Sequence, residues 1–260
     1  MLATSPLAAL RAEMEKEGVQ AFLVPLADVH QGEYIAARDK RLQWLTGFTG
    51  SAGMAIVRTD DAAIFVDGRY TVQVARQVDL ETFSHQHLHD HPPARWLGEH
   101  AQKGDRIAYD PWLHTAAQVE AIADKLEGTG AELVPVKENL IDRAWDDQPA
   151  APLGKVIAYP ESMAGESASE RRAKIAAKLK DAGADALAIT LPDNIAWLMN
   201  VRGGDVPYNP MPHSFVLLSA DGKADWFIDD RKFGTDRADI DMGGVTVRTV
   251  DSFGDALKAA

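Results

Sequence analysis

Four histidines at alternate positions, His85, His87, His89 and His91, form the densest set of potential metal ligands in the sequence. On an extended strand alternate side chains share a face, so four imidazoles could point one way. The spacing departs from the His-x-His-x-Asp-His arrangement of metallo-hydrolases, because His89 stands where the aspartate belongs. No His-Glu-x-x-His helix occurs either. The plainer expectation is a solvated strand-to-loop segment running into Pro92-Pro93. A second cluster, Gly47, Gly50 and Gly53, surrounds Phe48-Thr49 and Ser51. A phosphate loop needs Lys and Ser/Thr after its last glycine, and Met54-Ala55 stands there. A dinucleotide loop opens a helix, whereas this stretch precedes an apolar strand. These glycines are therefore expected to allow tight turns and close backbone approach. Ser51 and Ser214 lack a His/Asp partner pattern, and no Gly-x-Ser-x-Gly elbow is present. Spacing nominates no carboxylate pair for acid–base work.

Arg69, in Asp67-Gly68-Arg69-Tyr70, is the more informative polar residue. It falls where a predicted strand ends and the predicted helix Thr71–Gln77 begins. Strand ends form the rim of an α/β sheet, where ligands are commonly met. A guanidinium offers a planar fork to a carboxylate or a peptide carbonyl. The competing expectation is a structural ion pair with Asp67 or another nearby acid.

The elements that must position these residues follow an α/β pattern. Ser5 and Pro6 suit a helix start; Leu7, Leu10 and Met14 recur at helical spacing, and Gly18 suits a left-handed stop. A short apolar strand is predicted over 19–24. Met54–Arg58 and Ala62–Val66 read as a hairpin turned at Thr59-Asp60-Asp61. Strands are predicted at Arg106–Tyr109 and 132–134. Between them a helix over 115–126 opens on Thr115 and Gln118 at capping-box spacing. Prolines 149, 152 and 160 and glycines 154 and 165 mark a connection carrying a short strand at 155–158.

The second half repeats the first. Ser167 and Glu170 make another capping box, Ile175 and Leu179 another helical stripe, and Gly183 another stop. A strand over 185–190 follows, then Trp197-Leu198 and an apolar hairpin, 214–219 with 224–228, turned at Asp221-Gly222. Asp229-Asp230-Arg231 closes the copy, as Asp67-Gly68-Arg69 closes the first. Two similar domains are expected, 1–155 and 156–260, the second stopping short of its counterpart's length.

With 260 residues the chain suits one or two domains with a sizeable core. It is 46% hydrophobic and 25% charged, an ordinary globular balance. The absence of cysteine excludes disulfides, thiolate metal sites and a cysteine nucleophile. A net charge of −12 makes nucleic acid a poor first partner. No apolar run approaches the roughly 20 residues of a membrane span, and residues 1–16 lack the pattern of a secretory signal. A cytoplasmic location without membrane contact is the expectation.

Several stretches together resemble a known family. His30–Ala36 (His-Gln-Gly-Glu-Tyr-Ile-Ala), Trp44-Leu45-Thr46-Gly47-Phe48-Thr49-Gly50-Ser51-Ala52-Gly53 and Asp67-Gly68-Arg69-Tyr70 resemble the first domain of long-form Xaa-Pro aminopeptidases. Val136-Lys137-Glu138-Asn139-Leu140-Ile141-Asp142 with Trp145 is similar to that domain's close. Ile195 to Val206, with Asn209-Pro210, resembles the second domain. The resemblance implies two creatinase/prolidase N-terminal-like α/β domains, each a mixed sheet flanked by helices. It also implies a third, pita-bread domain with a dinuclear metal centre, usually Mn²⁺, in an enzyme that removes an N-terminal residue when proline follows it. No residue of this chain matches a metal ligand or the proton shuttle of that domain, so no catalytic residue, metal ligand or cofactor is assigned here. The resemblance assigns Arg69 a substrate contact, short peptides with proline second as substrates, and a homodimer as the assembly. The expected role is substrate positioning and dimerisation in a metallo-aminopeptidase, by a chain inactive alone. A standalone peptide-binding or regulatory module is the alternative.

Overall fold

The computed structural model describes residues 5–260. Its first helix, α1 (Pro6–Glu17), begins and ends on local chemistry. Ser5 Oγ accepts from the Ala8 N–H at 3.2 Å, and Gly18 closes the last turn with a φ of 69°. The chain then runs through β1 (Ala21–Pro25), α2 (Arg41–Thr46), the hairpin β2 (Met54–Arg58) and β3 (Ala62–Val66), and α3 (Thr71–Gln77). β4 (Ser84–His87), α4 (Pro93–His100), β5 (Arg106–Tyr109), α5 (Ala116–Leu126), β6 (Glu132–Pro135) and α6 (Leu140–Ala144) complete the first unit. Its six-stranded sheet has the order β4-β3-β2-β1-β5-β6. The β1/β2 and β2/β3 pairs are antiparallel; the others are parallel.

Alternation along the strands separates two apolar layers. Phe22 and Val24 join Ala55, Val57, Ile64 and Val66 against α1, α2 and α6. Ala21 and Leu23 join Ile56, Ala63 and Phe65 against Trp96 and Leu97 of α4 and Ile122 and Leu126 of α5. Each fully buried Val, Leu, Ile or Phe among them contributes about 1.5–3 kcal/mol, and each alanine methyl less. Thr115 and Gln118 form a reciprocal capping box at the start of α5. Arg41, nearly buried, spans α2 and α6 through Asp142, with bonds of 2.6 and 2.8 Å. Trp44 stacks on Trp145 with ring centroids 5.6 Å apart.

The second unit contains β7 (Ile157–Ala158), α7 (Glu161–Ala164), α8 (Ala168–Asp181), β8 (Ala186–Ile189), α9 (Pro192–Leu198) and β9 (Val201–Arg202). β10 (Phe215–Ser219), β11 (Ala224–Phe227), β12 (Val245–Arg248) and α10 (Phe253–Ala259) follow. Its four-stranded sheet has the order β12-β11-β10-β8. β8/β10 and β10/β11 are antiparallel and β11/β12 is parallel. Strand for strand this reproduces β4-β3-β2-β1, so the internal repeat is a repeat of topology. α8 opens on the Ser167–Glu170 capping box. β7 pairs only with β9, antiparallel, so the strand in the connection is two residues long rather than four.

The units divide by contacts into residues up to Val29 with Ala37–Ala150, and His30–Ala36 with Ala151–Ala260. The segment His30–Ala36 therefore groups with the second unit. His30 is buried there, its Nδ1 3.0 Å from the Thr190 carbonyl.

Candidate functional site

Asp67 and Arg69 follow the last residue of β3, on the rim of the first sheet. Asp67 accepts the Arg69 backbone N–H at 2.9 Å and Nε at 3.1 Å through Oδ1, and Nη2 at 2.7 Å through Oδ2. The carboxylate thus turns the chain and grips one edge of the guanidinium at once. The Arg69 side chain remains 66% exposed. Hydrogen bonding from the Arg69 side chain, then from its backbone N–H, holds the Asp67 carboxyl down at about 2 despite some desolvation. The guanidinium carbon lies 5.1 Å from the Tyr70 ring centroid.

Tyr70 links this clamp to the glycine-rich loop. Its hydroxyl is 2.7 Å from Ser51 Oγ, and its ring meets Phe48 edge-on at 5.6 Å. The Ser51 hydrogen bond draws the Tyr70 phenol below its ordinary range. Gln77 accepts the Thr49 N–H at 3.0 Å, and its Nε2 donates to Thr49 Oγ1 at 2.8 Å. A Cβ on Gly50 would stand 2.2 Å from Phe48 and 2.8 Å from Tyr70, so the loop closes only with glycine there. The loop is a packed buttress for Tyr70. Ser51 is engaged by a phenol, and Ser214 is buried with its hydroxyl directed to the Pro212 carbonyl.

The histidine run does not form one face. β4 ends at His87, so His89 and His91 lie beyond the strand. His91 contacts Gln86 and Glu99, each at 2.8 Å, while His87 Nδ1 accepts the Asp90 N–H at 3.2 Å. Burial lowers the His85 pKa. The shared face fails because the chain turns after four strand residues, the strand-to-loop course that was the plainer expectation. Among the described residues, no group of three or more His, Cys, Asp or Glu could hold a metal ion.

The second unit repeats the clamp at the end of β11. Asp229 accepts the Arg231 N–H at 2.9 Å, Nε at 2.9 Å and Nη2 at 2.6 Å, and its pKa is likewise about 2, mainly through the Arg231 side chain. The residues after the two clamps differ. Tyr70 reaches the glycine loop, whereas Lys232 turns inward to Asp205 at 2.6 Å and to the His213 carbonyl at 2.9 Å. Asp205 also accepts the Gly154 and His213 N–H groups, at 2.9 and 2.6 Å. His30 packs beside this group, its ring 4.6 Å from both His213 and Phe215. Asp205 and His30 stood in the motifs that carry the family resemblance, but their partners lie far along the chain and no local spacing announces them.

Two family models, both described as the creatinase/prolidase N-terminal domain, match residues 6–144 and 147–260. The chain belongs to the creatinase/prolidase N-terminal domain family. A probable Xaa-Pro aminopeptidase P of Fusarium vanettenii is 38% identical over 260 residues, covering 98% of this chain and 42% of the relative. One from Coccidioides posadasii is 37% identical over 256 residues, covering 97% and 39%. The chain thus spans about two-fifths of the length of these creatinase-family relatives. The crystal structure of an X-prolyl aminopeptidase from Caenorhabditis elegans, described as a cytosolic enzyme with a di-nuclear active site, superposes with a TM-score of 0.89 at 29% identity. That match covers 98% of this chain and 44% of the nematode chain. The mixed α/β architecture and the paired domains expected from the sequence are those of this family.

Proposed function

We propose that this chain is the substrate-positioning region of an Xaa-Pro aminopeptidase, and that Arg69 is its contact with the distal end of a short peptide substrate. The reading rests on one observation: at the sheet rim, Asp67 fixes the aim of a guanidinium whose side chain stays two-thirds exposed. A cation held in one orientation contributes a charge-assisted bond without ordering a free side chain first. Placed beyond the scissile bond, it would favour short peptides with a carboxylate within reach. Tyr70 and the glycine loop hold the rim segment from behind.

Bond cleavage belongs, in this reading, to a dinuclear metal domain, with Mn²⁺ as the metal. The described residues of this chain offer no ligand set that fits such a centre. Among the described residues no helix is long and apolar enough to cross a membrane. The cytosolic setting of the nematode relative supports a cytoplasmic enzyme. Subunit contacts in a homodimer are the region's second role, supported by the family resemblance and tested by sedimentation of the complete enzyme.

The test of the substrate contact is kinetic. Arg69→Ala in the complete enzyme should reduce kcat/KM for short Xaa-Pro peptides carrying a free C-terminal carboxylate, and reduce it far less for their C-terminal amides. Equal losses for acid and amide, or no loss, would overturn the assignment and leave Arg69 as a structural partner of Asp67.

A further inference from the structure

The two Asp–Arg clamps sit on the same turn but differ at the residue between aspartate and arginine. The Tyr70 N–H meets the Asp67 carbonyl at 3.0 Å, and the Lys232 N–H meets the Asp229 carbonyl at 3.0 Å. The second residue of the turn is Gly68 in the first unit and Asp230 in the second, so this turn accepts a side chain. Gly68 does not need to be glycine for its backbone, because its φ lies outside the left-handed region. Nor does crowding require it. Beyond its chain neighbours, and among the described residues, a Cβ there would have one atom within 4 Å: Nε2 of His87, at 3.7 Å, an ordinary contact. What the missing side chain does is leave the space in front of that nitrogen open. The second unit lacks this pairing. Phe227 lies opposite Arg248 as Phe65 lies opposite Gln86, so Thr249 holds the register place of His87.

The His87 nitrogen that faces Gly68 carries a proton. β4 runs parallel to β3 with His87 opposite Val66, which sets the imidazole beside the turn. The Asp90 N–H donates to Nδ1 at 3.2 Å, so the neutral ring bears its hydrogen on Nε2. Protonating the ring adds a hydrogen at Nδ1, 3.1 Å from the Asp90 carboxylate, and leaves the Nε2–H in place. The side chain is 34% exposed, and among the described residues no acceptor meets Nε2. We propose that His87 is a second contact for the distal carboxylate of the peptide substrate: its Nε2–H, left uncovered by Gly68, donates to one carboxylate oxygen while the Arg69 guanidinium holds the other. The proposal rests on the reading of Arg69 as the substrate contact. Gly68 is the residue before Arg69 in the chain, so the imidazole donor and the guanidinium flank the same short stretch of backbone. A carboxylate, with two oxygens and about four lone-pair sites, suits two donors converging from different residues.

Kinetics of the complete enzyme on short Xaa-Pro peptides with a free C-terminal carboxylate test this with three variants. His87→Phe keeps the shape of the ring and removes the donor, so kcat/KM should fall by about tenfold, mainly through KM. His87→Gln returns an amide N–H to the neighbourhood of Nε2 and should recover most of that loss. Gly68→Ala sets a methyl over Nε2. It should lower kcat/KM severalfold while the melting temperature holds or rises, because alanine stiffens the unfolded chain and fits this turn. Full activity in a stably folded His87→Phe protein overturns the proposal, as does a His87→Gln protein that loses as much as His87→Phe. Full activity in Gly68→Ala overturns it too, and decides the matter if His87→Phe does not fold. Arg69→Ala on the same peptides is read separately. No loss there removes the reading of Arg69 and the shared carboxylate with it, whereas a loss at Arg69 without one at His87 or Gly68 removes this proposal alone. Where both positions lose activity, two donors on one carboxylate make the double variant lose less than the product of the single losses, and a full product overturns the sharing.

Discussion

At Arg69 one side chain is divided between holding and reaching. Asp67 binds Nε and Nη2, which sets the plane of the guanidinium. Arg69→Lys keeps the charge and loses the fork, so a lysine there should behave much closer to alanine than to arginine. A lost charge-assisted contact of about 1.5–3 kcal/mol corresponds to roughly a 10- to 150-fold drop in kcat/KM on carboxylate-ended peptides. Asp67 acts through Arg69, so Asp67→Asn should raise KM for those peptides while leaving kcat nearly unchanged. The clamp is also robust to acid. A carboxyl depressed to about 2 contributes fully above its ordinary value near 3.8 and loses that contribution only as pH falls through about 2. KM for the peptide acid should therefore show no Asp67-dependent change between pH 8 and 5. A KM inflection in that range that disappears in Asp67→Asn would contradict it.

Whole elements carry the next layer, and here two substitutions separate local from long-range design. Gly50→Ala forces a Cβ against Phe48 and Tyr70, and overpacking of this kind costs about 1–3 kcal/mol. The melting temperature should fall, and the Tyr70 phenol, read by ultraviolet titration, should rise towards its ordinary value as the Ser51 bond is lost. In the second unit, Lys232→Met leaves the Asp205 carboxylate buried without its cation, a loss of about 3–5 kcal/mol. Asp205→Asn removes the charge but sets an amide N–H against the Gly154 or His213 N–H, so the pairing is read from the double-variant cycle: the two losses should be clearly less than additive, and additive losses would refute the pairing. The first device was partly legible in the sequence, because Gly47, Gly50 and Gly53 sit in one short stretch. So were the hairpin of β2 and β3, the capping boxes at Thr115 and Ser167, and the order of the repeat, since each depends on neighbours a few residues apart. The Asp205–Lys232 pair, the Arg41–Asp142 bridge and the grouping of His30–Ala36 with the second unit join residues distant in the chain, and periodicity carries no trace of them. The histidine run follows the plainer of its two readings: a short strand carries His85 and His87, and the chain turns before His89 and His91.

Across the molecule, the acidic balance and the buried imidazoles predict how stability changes with pH. His85, His114 and His213 all titrate below the ordinary histidine value, in each case chiefly because burial penalises the charged ring. For His213 the nearby Asp205 partly offsets this and Lys232 adds to it, while His30 and Phe215 pack against the ring. A histidine whose folded pKa is depressed binds protons more readily when unfolded. Its contribution is complete above the unfolded value near 6.5 and declines as pH falls below it towards the folded value. The paired carboxylates Asp67 and Asp229, both at about 2, remain ionised throughout that window and do not contribute to the decline. The melting temperature should accordingly be flat from pH 8 to 7 and fall between pH 6.5 and 5. His114→Phe should blunt the fall, because its ring Nε2 is buried without a hydrogen-bond partner and an apolar ring of similar shape has no proton to gain. A melting curve that stays level down to pH 5, or a His114→Phe protein with the full wild-type decline, would place the acid sensitivity of this fold in its carboxylates instead.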